Sequence, residues 1–176
     1  MRGSIAIPLV ILCGSAPAAA LDLPARKAGL WEISMTFEGR DMPSVKAQHC
    51  IDADTDKQMN LMSGAVRQEC AKQDINRVGN TIVIDSVCKF GDTTSTSHAV
   101  MSGDFNSAYT VKVDSQREGG PPLPGIAPGS TSTMMIAAKW LGACAAGQRP
   151  GDIVMGNGMK MNILDMPKVP GAPPAR

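Results

Sequence analysis

Four cysteines, Cys50, Cys70, Cys88 and Cys144, restrict this chain more than any other feature. They follow an export-type leader, and an even number of thiols in an oxidising compartment reads as two disulfides. Cys13 sits inside the leader and is expected to leave with it. No Cys-x-x-Cys pair offers a redox site or a zinc knuckle. Any fold must therefore bring these four positions together in two pairs.

The leader is read from its chemistry. Met1-Arg2 supplies a positive charge, and Ile5 to Leu12 is an apolar run broken only by Pro8. Small residues follow, and Ala18-x-Ala20 fits cleavage between Ala20 and Leu21. The run is far shorter than the roughly 20 apolar residues of a membrane helix. Leu12 stands before Cys13 where lipid attachment would require a small residue. Residues 1–20 are thus expected to be removed, leaving a soluble periplasmic product. Losing Arg2 leaves 16 basic and 16 acidic residues. A neutral chain with 3% aromatics has neither the field nor the stacking surfaces that nucleic acids require.

Trp31, Ile33, Met35 and Phe37 alternate with Glu32, Ser34, Thr36 and Glu38, the period of a half-buried strand. A second strand runs from Ser44 to Cys50. Asp52 then caps a short helix through Met62, with acidic residues at its positive end. Asp52, Asp54 and Asp56 resemble the start of a calcium loop, but Lys57 and Ser63 stand where glycine and glutamate are required.

Gln68 to Arg77 and Thr81 to Phe90 flank Val78-Gly79-Asn80 and read as a hairpin. If those three residues form the loop, Arg77 faces Thr81, and counting seven positions back along each strand sets Cys70 against Cys88. Of the three possible pairings this geometry favours Cys70–Cys88, which leaves Cys50 with Cys144. Thr94 to Met101 leads to a turn at Ser102-Gly103-Asp104, and Tyr109, Val111 and Val113 alternate with polar residues. Ser130 to Trp140 carries Met134, Ile136, Ala138 and Trp140 on one face. Gly119 to Gly125 reads as an exposed Pro/Gly loop. Ile153 to Leu164 adds a strand or lies across the sheet, and Pro167 to Arg176 is a proline-rich tail.

The expectation is a mainly β fold, a curved antiparallel sheet or partly closed barrel of about seven or eight strands with one short helix. Residues 21–144 form the domain and 145–176 an extension.

Little in the sequence supports catalysis. His49 and His98 are the only histidines, and no nucleophile elbow, zinc-protease helix or phosphate loop appears. Twelve methionines are the unusual term, and soft thioethers suit irregular cores and adaptable apolar surfaces. Trp31, Ile33, Met35, Met101 and Met135, with Met134, are candidate walls of a cavity for a small apolar ligand. An alternative assigns Met155, Met159, Met161 and Met166 to Cu(I), which selects soft sulfur ligands. A third option is a protein partner, such as an envelope protein, meeting a sheet edge or the loop Pro121 to Pro128. No cofactor is indicated.

The order of Gly29-Leu30-Trp31-Glu32, Cys50 before an acidic helix, Cys70, Gly79-Asn80-Thr81, Cys88 and Leu141-Gly142-Ala143-Cys144 resembles an exported bacterial family, domain of unknown function 3617. The resemblance covers Lys27 to Cys144. It implies a small periplasmic β-rich protein with paired cysteines and no established activity. Two departures stand out. Lys139-Trp140 replaces a basic residue directly before Leu-Gly, and Ala145 to Arg176 extends past the usual end. Gly29-x-Trp31 is also similar to the opening of lipocalin-like barrels, where a late basic residue, here Lys139, would cover the tryptophan.

Overall fold

The computed structural model describes residues 23–64, 69–121 and 129–166. The leader with its cleavage point, residues 122–128 of the proline-rich loop and the tail from Pro167 lie outside these described residues.

Nine strands form one open sheet. They are β1 (Gly29–Phe37), β2 (Val45–Ile51), β3 (Glu69–Val78), β4 (Thr81–Phe90), β5 (Thr93–Asp104), β6 (Ala108–Gly119), β7 (Thr131–Gly142), β8 (Asp152–Met155) and β9 (Lys160–Asn162). One helix, α1 (Ala53–Gly64), follows β2, and a 3-10 turn spans Ile163–Asp165. The strand order is β3-β4-β5-β6-β7-β1-β2-β8-β9, with every neighbouring pair antiparallel. The sheet therefore ends in two edges, β3 and β9, and β1 lies in its interior between β7 and β2.

Alternation along the strands works as the sequence implies. Trp31, Ile33, Met35 and Phe37 oppose Trp140, Ala138, Ile136 and Met134, so both apolar sets share one face, here termed inner. Leu141 is the extra residue where the β1–β7 register shifts between Leu30 and Trp31. The helix begins as expected, with Asp52 Oδ1 accepting from the Thr55 backbone N–H (2.8 Å) and hydroxyl (2.7 Å). Asp52 and Thr55 bond reciprocally, since the Asp52 N–H donates to Thr55 Oγ1 (2.9 Å).

Both disulfides form in the favoured pairing, Cys50–Cys144 and Cys70–Cys88. Cys50 opposes Leu30, and Leu30 opposes Gly142, two residues before Cys144. That bridge thus ties β2 to the chain leaving β7, across the end of β1.

Three local expectations are corrected. The β3–β4 turn has two central residues, Gly79-Asn80, because Val78 pairs with Thr81. The β5–β6 turn falls on Phe105 to Ser107, and Ser102-Gly103-Asp104 continues the strand. Asp104 makes that turn: its carboxylate accepts from Asn106 N (2.9 Å) and Ser107 Oγ (3.0 Å). Gly103 lies at φ 131°, and a Cβ there would stand 2.6 Å from the Tyr109 Cα, so glycine serves close strand approach and not a turn.

The third concerns the path of the chain beyond Cys144. Beyond Cys144, β8 pairs with β2 and β9 with β8, while Ile163 is 3% exposed in the core. The sheet therefore continues through Asn162, and the 3-10 turn after it places Ile163 in the core. The strand count rises from the expected seven or eight to nine because this short hairpin joins it.

Candidate functional site

One end of the inner face is filled. Trp31, Ile33, Ile51, Met59, Ala138 and Ile163 form the core cluster, with Tyr109, Ile136, Trp140 and Ile153 packed against it. The Trp31 indole N–H donates to the Lys27 carbonyl (2.8 Å), which satisfies the polar atom of a fully buried ring. Lys27 Nζ lies 3.6 Å from the centroid of Trp140. Lys139, the expected cover for Trp31, pairs with Glu32 and so stands on the opposite, outer face.

Polar groups are embedded in this end. Arg26 donates from its backbone N and from Nε to the two Asp56 oxygens (2.8 and 2.7 Å), and the two side chains are 8% and 1% exposed. This pairing anchors the incoming chain to α1. His49 opposes Trp31 on β2; burial first, and the Arg26 charge second, lower its pKa to about 4. Among the described residues its Nδ1 has no hydrogen-bond partner. Burial likewise raises the Tyr109 phenol.

Away from this end the inner face continues without α1, which packs chiefly against β2 and the 3-10 turn. Register aligns side chains into rows across the strands, because directly opposed residues share a face. The first row reads Ile82, Met101, Val111, Ile136, Met35 and Val45 from β4 to β2. The second reads Ile84, Ala99, Val113, Met134 and Phe37. Ile82 and Val111 are buried, and the others are half-buried. A third row is entirely serine: Ser86, Ser97, Ser115 and Ser132.

Charge divides between the faces. On the outer face lie Lys46, Lys72, Lys89, Lys112 and Lys139, with Glu32, Asp74, Asp85, Asp104, Asp114 and Glu118. The inner face has Arg77 on β3 and Arg117 on β6, and Arg40 reaches it from the β1–β2 turn. Arg40 Nη2 donates to Ser132 Oγ (3.1 Å), and its guanidinium lies 5.4 Å from the Phe37 ring.

The outer face holds two shallow grooves. One, of about 310 Å³, contains His98, Asp85 and Asp114; His98 Nδ1 lies 2.7 Å from Asp85 Oδ1. The Thr133 hydroxyl, and secondarily Lys112, lower the pKa of Asp114. A histidine oriented by a carboxylate is able to move a proton, although both groups are exposed. The second groove, of about 730 Å³, runs over small side chains including Ser34, Ala137, Thr110 and Ser102 between Glu32 and Lys139.

Of the proposed ligand-binding residues, Trp31 and Ile33 belong to the packed cluster. Met35 and Met101 share the first apolar row with Val111 and Ile136 between them. Met135 pairs with Thr36 and Lys112 and therefore lies on the outer face, while its neighbour Met134 is inner. Among the copper candidates, Met161 opposes Ile153, and Met155 and Met159 close the same hairpin on that face. Met166 lies beyond the 3-10 turn. Sequence reasoning missed Arg40, Arg117 and the serine row. Serines at alternate positions, such as Ser95 and Ser97, were visible, but only register shows that four of them align.

Geometry defines a class before it defines a family: an open antiparallel sheet with two disulfides, one apolar face and one solvated, charged face. Residues 26–144 match the family described as "Protein of unknown function (DUF3617)", and the chain belongs to that family. The matched span contains all four paired cysteines and ends at Cys144, ahead of the β8–β9 hairpin. No curated protein and no solved structure matches the chain. Among the described residues no helix is long and apolar enough to cross a membrane.

Proposed function

We propose that this protein is an exported, non-enzymatic binding module that holds a small, elongated apolar ligand against its inner face. The observation carrying this reading is the pair of aligned apolar rows on β4, β5, β6, β7 and β1, most of whose members stay half-buried. Contiguous apolar surface of this kind favours a cover, because removing it from water yields about 25 cal/mol per Å². Five adjacent strands at about 4.8 Å spacing give the rows a length of roughly 19 Å, suited to an alkyl chain. Two methionines, Met35 and Met134, give the surface adaptable side chains, and Met101 adds a third.

The test is native mass spectrometry of protein purified from the periplasm, followed by uptake of a lipid-like probe. Expected are adducts of lipid mass and an N-terminus at Leu21. Met101→Glu should remove the adduct while circular dichroism stays unchanged. Probe uptake unaffected by Met101→Glu, or no uptake by the wild type, would reject the reading.

A second reading has its own support. The β8–β9 hairpin sets Met155, Met159 and Met161 on one face, the kind of thioether group that favours Cu(I). Competition against a chromophoric Cu(I) chelator, with Met159→Leu/Met161→Leu as comparison, tests it. Equal competition by both proteins would dismiss it.

A further inference from the structure

We propose that the inner face ends in a head-group site for an oxyanion, so that the ligand is an anionic amphiphile with a carboxylate or phosphate head. This rests on the apolar-ligand reading above and adds the chemistry of the ligand's polar end. Three observations carry it.

First, polarity changes abruptly and in order along the face. Two apolar rows are followed by Ser86, Ser97, Ser115 and Ser132, and the next row places Ser95 opposite Arg117. A guest whose alkyl chain lies in the apolar rows, across the strands, would meet hydroxyls where its head turns along the strands towards this third row. All four row serines are half-buried, and Ser86 Oγ and Ser97 Oγ stand 2.8 Å apart. The Ser115 hydroxyl donates to the Ser132 carbonyl (3.4 Å).

Second, two guanidinium groups border this row. Arg40 is held at the boundary, against the Phe37 ring of the second apolar row and on Ser132 Oγ. Arg117 lies two residues along β6 from Ser115, on the same face, and its Nη2 donates to the Pro121 carbonyl (2.7 Å). A guanidinium has five N–H donors in a planar fork that suits carboxylate and phosphate oxygens, and each contact described uses one of them.

Third, among the described strand residues no carboxylate stands at an inner position. Lys112, Asp114 and Asp85 are neighbours in sequence or register but point to the outer face, where Lys112 pairs with Asp114. Among the described residues neither Arg40 nor Arg117 makes an ion pair. A surface with cations, hydroxyls and apolar rows, and with carboxylates sorted to the far side, is complementary to an anion with a hydrocarbon tail. Within the strands arginine is on this face and lysine on the other, the choice expected for planar oxyanion recognition over solubility alone.

The experiment compares five probes by calorimetry below their micellar concentrations: laurate, dodecyl phosphate, dodecanol, dodecyltrimethylammonium and inorganic phosphate. Expected is binding of the two anionic amphiphiles about tenfold tighter than dodecanol, the size of one charge-assisted contact, with the cationic chain weakest. Arg40→Gln/Arg117→Gln should bring the anions down to the affinity of dodecanol and leave dodecanol itself unchanged; thermal melts verify the variant's fold. Four twelve-carbon probes of equal affinity would overturn the head-group site and leave the apolar reading standing. Inorganic phosphate competing as strongly as dodecyl phosphate would overturn the amphiphile assignment in favour of free phosphate. No binding by any twelve-carbon probe, with or without dimerisation through this face, would overturn both readings. Because the wild-type probe series decides the matter by itself, a variant that fails to fold leaves the test intact.

Discussion

Cys70 stands opposite Cys88 through a bulge, with Ala71 the extra residue between Cys70 and Lys72 in the β3–β4 ladder. Counting back from the Val78–Thr81 pair would set Ala71 against Cys88; the register shift replaces it with Cys70. A bulge adds one residue to one strand and increases local twist, here at the sheet edge where bulges concentrate. Deleting Ala71 should therefore give a regular ladder that still opposes the two cysteines. The unreduced mass of that variant should lack four thiol hydrogens, as the wild type does. Replacing both cysteines by serine should cost about 3 kcal/mol in urea denaturation, the scale for a closed loop of this size, with a sequence separation of 18.

That pair also shows what the sequence makes legible. Period-two alternation gave β1, β6 and the apolar face of β7 correctly, since side-chain direction is a local property. A three-residue loop predicts the correct disulfide pairing although the turn has two central residues, because the bulge at Ala71 offsets the difference. Faces across strands were not legible. Met134 and Met135 are adjacent and chemically identical, and only the pairing of Thr36 with Met135 decides which is inner. The β8–β9 hairpin was ambiguous because strands of four and three residues carry too little period to read. The third row needs the register of four strands at once.

Acid should weaken the fold through His49. Its folded pKa of about 4 lies below the ordinary 6.5, so between those values the unfolded chain binds the extra proton and folding loses ground as pH falls. The full loss, about 3 kcal/mol from the size of that shift, is reached near pH 4. Urea midpoints at pH 7.5 and 4.5 should differ for the wild type and nearly coincide for His49→Leu. A slope of equal steepness in that variant would show that another group carries it. Asp152 acts lower on the scale, and measurements above about pH 4.5 leave it ionised.

Asp152 ties the C-terminal hairpin together. Burial alone would raise its pKa, but Lys160, Asn162 and the Arg149 N–H outweigh burial and hold it at about 2. Its stabilising contribution is present above the ordinary 3.8 and is lost as pH falls towards 2. Asn162 Nδ2 donates to its Oδ1 (2.8 Å), and Lys160 Nζ lies 2.8 Å from Oδ2. Asp152→Ala leaves the Arg149 N–H without its acceptor and Asn162 Nδ2 with the Pro150 carbonyl alone, and should cost about 2–3 kcal/mol. Truncation after Pro150 removes Ile163 from the core and strands Ile51 and Met59 in water. It should abolish the cooperative melt, read by circular dichroism; a truncated chain that melts at the wild-type temperature would place the hairpin outside the folding unit.

Met35 and Met135 give the sharpest separation of the two faces. Both are half-buried methionines one register position apart on neighbouring strands, since Met35 opposes Ile136 and Met135 opposes Thr36. Met35 sits in the first apolar row, whereas Met135 lies between Thr36 and Lys112 on the charged side. A carboxylate at Met35 would be desolvated beside Ile136 and Val45 and would repel an anionic amphiphile. Met35→Glu should therefore weaken binding of dodecyl phosphate more than tenfold. Met135→Glu places its charge near Lys112 in solvent and should change binding less than twofold and stability by less than about 1 kcal/mol. Calorimetry on the two variants decides the assignment. Equal losses would mean that the ligand is not confined to the inner face, and a loss in Met135→Glu alone would move the site to the outer groove.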